Sequence, residues 1–179
     1  WMSWQWKRHA GMDVITYTGN GTAGRQIRHN LNKVPEMIWT KKRDDTEDWL
    51  VYHKDLNGGT NPANWYLTLN LTDEEKEQGI YWNNTVPTSV AVTVGSSNRV
   101  NNNNSKYISM LFSSVEGVSK VGSFTGSSSD VTITTGFQPR FVIIKSTSHT
   151  YPWMMLDSVR GWGTSDDSGD DPYLRLNQT

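Results

Sequence analysis

The residues of this chain best suited to chemistry are aromatic side chains beside Asn-, Gly- and Asp-rich turns: Trp65, Tyr66, Tyr81, Trp82, Tyr151 and Trp162. An exposed aromatic face stacks on the apolar face of a sugar ring, while neighbouring Asn and Asp groups hydrogen-bond its hydroxyls. Packing in a core or an interface is the competing role for each of them. Trp39, Trp49 and Trp153 fall within strand-like runs and are expected in the core. Carboxylates cluster twice, at 44–48 and at 166–171. In the second cluster Asp166, Asp167, Asp170 and Asp171 alternate around Ser168-Gly169 and could wrap a calcium ion, which takes six to eight oxygens. The spacing is not that of an EF-hand and no distal Glu follows, so a solvated hairpin loop is the favoured explanation and calcium the lesser one.

Other chemistries find less support. His9, His29, His53 and His149 stand far apart, without an HxH or HExxH spacing that would assemble zinc. Glycoside hydrolysis needs two carboxylates across a cleft. The strand-like runs 90–94 and 141–144 carry none. No Gly-x-Ser-x-Gly elbow and no phosphate-binding glycine loop occurs, so the expectation is a protein that is not an enzyme. The absence of Cys excludes a disulfide scaffold, a thiolate zinc site and a cysteine nucleophile. Lys and Arg number 17 against 18 Asp and Glu, a balance that argues against nucleic acid as the partner. No apolar run approaches the ~20 residues that span a bilayer, and membrane insertion is not expected.

The elements that would position these groups are strands. Apolar residues alternate at Trp4 and Trp6, at Leu67, Leu69 and Leu71, at Val90, Val92 and Val94, and at Val131 and Ile133. Continuous runs, Met37-Ile38-Trp39 and Phe141-Val142-Ile143-Ile144, read as central strands buried on both faces. Turn clusters at 18–21, 57–59, 95–98, 101–104 and 126–129 separate them. Only 72–79 reads as a helix, with Thr72 as N-cap, Glu75 completing a capping box and Gly79 as the stop. The expected fold is all-β, an antiparallel two-sheet β-sandwich of jelly-roll type.

The sequence also repeats. Tyr17-Thr18-Gly19 matches Phe124-Thr125-Gly126, and Pro35 to Lys41 matches Pro139 to Lys145. Trp49 matches Trp153, Trp65 to Thr72 matches Pro172 to Thr179, and Met2 to Trp6 fits Ile108 to Phe112. The period is about 105 residues, with length changes confined to turns, as a duplicated β unit requires. The repeat divides the chain into 1–11, the last strand of an upstream unit, 12–117, a complete sandwich, and 118–179, a second unit cut short. The competing reading makes the two copies halves of one larger sandwich closed by 1–11.

Val14 to Gly21, Val34 to Ile38, Asp48 to His53, Trp82 to Ser89, Val115 to Gly126, Gly136 to Lys145 and Leu156 to Gly161 resemble a domain found in tandem in tail-fibre-like and virion-associated proteins of marine bacteriophages, including those that infect cyanobacteria. That domain is similar in architecture to concanavalin-like lectin sandwiches. The resemblance implies a structural and adhesive module on a virion, homo-oligomeric or joined to other virion proteins, that contacts a host-surface glycan. It supplies no catalytic residues and no cofactor. A polysaccharide depolymerase and a purely architectural decoration domain are the alternatives.

Overall fold

The computed structural model describes residues 10–162 and 172–177. Its strands are β1 (Met12–Thr18), β2 (Arg25–Arg28), β3 (Met37–Lys42), β4 (Leu50–His53), β5 (Trp65–Thr68), β6 (Lys76–Glu77), β7 (Ala91–Val94), β8 (Lys106–Phe112), β9 (Phe141–Ile144), β10 (Met154–Asp157) and β11 (Tyr173–Arg175). One short helix, α1 (Asn98–Asn101), and two 3-10 turns at 56–59 and 62–64 complete the described elements. All pairings are antiparallel, in a six-stranded sheet β1-β8-β3-β4-β5-β6, a ribbon β2-β7 and a three-stranded sheet β11-β10-β9. The fold is all-β and sandwich-like.

Period-two alternation decides what each face of the six-stranded sheet buries. Ile15, Ile38, Leu50, Tyr52 and Leu111 point to one side and pack against Ile27, Val92 and Val94 of the ribbon. Met12, Trp39, Val51, Leu67 and Phe112 point to the other and meet Trp153. Strand β4 is therefore apolar and buried on both faces at Leu50, Val51 and Tyr52.

The three-stranded sheet is built in the register of β3-β4-β5. Met37, Ile38, Trp39 and Thr40 face His53, Tyr52, Val51 and Leu50, and Phe141, Val142, Ile143 and Ile144 face Asp157, Leu156, Met155 and Met154. Leu50 and Val51 face Thr68 and Leu67 as Met154 and Met155 face Arg175 and Leu174. The flanking bonds recur too. The Trp49 amide donates to Asn70 Oδ1 at 2.9 Å and the Trp153 amide to Asn177 Oδ1 at 3.0 Å. Lys41 Nζ donates to the carbonyls of Lys42 and Asp45, and Lys145 Nζ to those of Ser146 and His149.

This sheet docks on the sandwich through the side that carries Ile143 and Trp153. Trp153 Nε1 donates to the Thr68 carbonyl at 2.9 Å, Lys145 Nζ to that of Thr72 at 3.2 Å, and the Glu75 amide to that of Thr147 at 2.9 Å.

Three local expectations are corrected. Residues 72–75 are irregular and Lys76–Glu77 pair with Trp65 and Tyr66 as an edge strand, so no helix forms over 72–79. The capping signals there lack an apolar stripe to bury, and two turns without packing are not stable. Val131 and Ile133 are exposed in a loop. No strand among the described residues pairs with them. Phe141 to Ile144 are half-buried rather than enclosed, since the sandwich covers one face of their sheet only. The expected strand pattern at Trp4 and Trp6 lies outside the described residues.

Two ionisable groups make stability depend on pH. Burial holds the His53 imidazole below the ordinary histidine value, and its Nδ1 accepts the Asp55 amide at 3.2 Å, which only the unprotonated nitrogen can do. The unfolded chain then binds a proton that the folded chain resists. Stability is complete above about pH 6.5 and is lost as the pH falls toward the lower folded value. For Glu36, burial opposes ionisation, but hydrogen bonds from Lys54 and Ser114 outweigh it and hold the carboxyl below its ordinary range. A further loss follows as the pH drops below about 4.3. Urea midpoints are expected to decline from about pH 7.5 to about pH 5.5, and His53→Gln to flatten that decline. An unchanged slope in the variant would remove His53 as its cause.

Candidate functional site

The aromatic candidates divide once the strands are in place. Trp82 is 2% exposed and Tyr81 7%. Trp82 packs edge-on to Tyr52 at 6.0 Å, and Tyr81 edge-on to Tyr66 at 4.8 Å. Both belong to the core between the six-stranded sheet and the ribbon, with Tyr66 packed partly buried against them. Tyr81 and Trp82, expected at a ligand surface, therefore have no ring face to offer a sugar. Trp65 is half-buried against the opposite core. Tyr151, 62% exposed, stacks on His149 at 5.8 Å between centroids. Trp162 is half-buried in the turn after β10, where its amide donates to the Asp157 carbonyl. Tyr151 and Trp162 thus belong to the segments flanking β10, apart from the 65–82 group. The calcium candidates Asp166, Asp167, Asp170 and Asp171 lie outside the described residues.

The carboxylates with the closest partners serve the fold. Glu36 takes Lys54 Nζ at 2.6 Å and the Ser114 amide. Asp157 takes the amides of Val159 and Arg160 and the Arg160 guanidinium. Asp13 takes the Asn30 amide at 2.8 Å. Among the described residues no group of three or more His, Asp or Glu could hold a metal ion, and no helix is long and apolar enough to cross a membrane.

What converges instead is a set of amides. The chain that carries Tyr81 and Trp82 inward leaves Gly79, Ile80, Asn83 and Asn84 around an open cleft of about 550 Å3, lined also by Ala23, Asn64, Glu77 and Ser96. Asn83 and Asn84 both adopt positive φ, 54° and 50°, which Asn tolerates better than most residues. Gly79 lets the Asn84 side chain come close: a Cβ there would lie 1.8 Å from Asn84 Oδ1 and would turn that side chain aside. Strand pairing of Trp65 with Glu77 sets β6 beside Asn64, whose carbonyl accepts the Gln78 amide at 2.6 Å. The side chains of Asn64, Glu77, Asn83, Asn84 and Ser96 form no hydrogen bond with the other described residues, so their donors and acceptors are turned to solvent.

Beneath this wall lies Asn101, fully buried in α1. Its Nδ2 donates to the carbonyls of Thr22 at 2.8 Å and Gly95 at 2.9 Å, and its Oδ1 accepts the Asn20 amide at 3.0 Å. It ties the residues preceding Ala23 and Ser96 together. Within the sequence Asn101 is one of four consecutive Asn residues, and nothing in such a run marks the buried member. The cleft amides were equally hidden, because they sit in the turns that the sequence pattern treats as strand punctuation.

A family model described as a domain of unknown function, DUF7483, matches residues 4–170. No curated protein and no solved structure matches the chain.

Proposed function

The chain belongs to the DUF7483 family, and we propose that it is a non-enzymatic structural and adhesive module built from tandem β-sandwich units. The observation that carries this reading is the second use of one pattern: β9-β10-β11 takes the register of β3-β4-β5, with the same Trp-to-Asn and lysine-to-carbonyl bonds. A unit that repeats and docks on its predecessor through backbone carbonyls suits a filament or a particle surface. The division is 1–11, 12–117 and 118–179, with a jelly-roll, concanavalin-like arrangement for the complete unit. Its place is a phage tail fibre or virion surface, in a homo-oligomer or with other virion proteins, contacting a host-surface glycan through end loops.

The chain is expected to be retained on immobilised surface polysaccharide from marine cyanobacteria without shortening the polymer, read by size-exclusion chromatography. Shortening would replace adhesion by depolymerisation. Failure of retention on every polysaccharide tried would leave architecture as the whole function.

A further inference from the structure

Resting on the adhesive reading, we propose that the cleft bounded by Asn64, Glu77, Asn83 and Asn84 binds a neutral saccharide. Its volume of about 550 Å3 lies within the roughly 300–1,000 Å3 of small-molecule sites and accommodates more than one sugar ring. Each amide offers two donors and an acceptor. A sugar hydroxyl is itself donor and acceptor, so vicinal hydroxyls match paired amides better than any purely accepting or purely donating ligand does. Glu77 adds a full acceptor for a hydroxyl and repels anions. A single carboxylate is too little charge to favour a hard cation over water. The exposed side chain of Ile80 supplies an apolar surface on the same rim for the ring's C–H face.

Preorganisation strengthens the assignment. The backbone at Asn83 and Asn84 is set in the left-handed region, and the main-chain N–H of Asn84 donates to the Gly79 carbonyl at 3.1 Å. A loop backbone already set in this way need not be ordered when a ligand arrives, and its side chains have no protein hydrogen bond to give up. This site differs from the aromatic residues to which sequence reasoning points. Two of those, Tyr81 and Trp82, form the core behind it.

The test is a titration of the whole isotope-labelled chain with maltose, lactose, chitobiose and mannobiose, following side-chain amide resonances by NMR. At least one disaccharide is expected to shift those of Asn64, Asn83 and Asn84. Glu77→Gln and Asn64→Ala should each weaken that response about tenfold, at an unchanged melting temperature. The proposal is overturned when no disaccharide moves the cleft amides, or when the shifts gather elsewhere. Retention on polysaccharide with silent cleft amides would remove the cleft and leave adhesion standing. Cleft shifts without retention would keep the saccharide site and remove adhesion.

Discussion

Trp153→Ala should release the three-stranded sheet from the sandwich while leaving the sandwich folded. Trp153 is 4% exposed and inserts among Met12, Trp39, Val51, Leu56, Leu67 and Phe112. Truncating a buried Trp costs about 3–5 kcal/mol, here drawn from the docking of β9-β10-β11. The core formed by Ile15, Ile38, Leu50, Val94 and Leu111 does not include Trp153, so its stability is not directly reduced. Hydrogen exchange separates the two effects. Amides of β10 should lose protection strongly, and those of β3 and β8 should hold. Trp153→Phe keeps part of the packing but leaves the buried Thr68 carbonyl without this donor, a smaller loss of about 1–3 kcal/mol. Uniform loss of protection in both sheets would mean that the chain unfolds as one unit and that docking is not a separable step.

The same residue shows what the sequence makes legible. Trp49 and Trp153 each stand immediately before a strand, β4 and β10, and both amides bond an Asn side chain across the neighbouring strand. Strand patterns of this kind are readable because alternation and turn residues are local. What the sequence hides is which face of a strand meets which partner. Tyr81 and Trp82 stand beside Asn-rich turns just as an exposed pair would, and only their packing on Tyr66 and Tyr52 in the core shows that they face inward; the backbone there is held close by the Gly95 amide, which donates to the Tyr81 carbonyl at 2.9 Å. Alternation at Val131 and Ile133 is equally readable, yet it yields no strand, because a strand needs a partner and alternation does not say whether one is at hand. The segment 72–79 fails in the opposite way. Its capping residues favour a helix, but the open edge of β5 offers Lys76 and Glu77 a ladder and nothing offers a helix a face.

Asn101→Ala is expected to carry the second large effect, and it reaches the cleft. The substitution strands the Thr22 and Gly95 carbonyls and the Asn20 amide. Each such loss costs about 1–3 kcal/mol when water cannot replace the partner. Because the three groups share one side chain their costs do not simply add, and a total of roughly 3 kcal/mol is the reasonable expectation. For a chain of this size that corresponds to a melting temperature lower by about 10 °C. Asn101→Asp discriminates the mechanism. It keeps an acceptor for Asn20 but sets a carboxylate against two carbonyl oxygens, so it should be more damaging than alanine although it is closer in shape. An Asp variant as stable as the native chain would show that water reaches this position and that the three bonds are not what fixes the loops. Since Thr22 and Gly95 immediately precede Ala23 and Ser96 on the cleft wall, loosening them should also broaden the side-chain amide resonances of Asn83 and Asn84, or collapse them toward random-coil positions, well below the melting transition. The buried amide would then be the element that keeps the exposed ones in register.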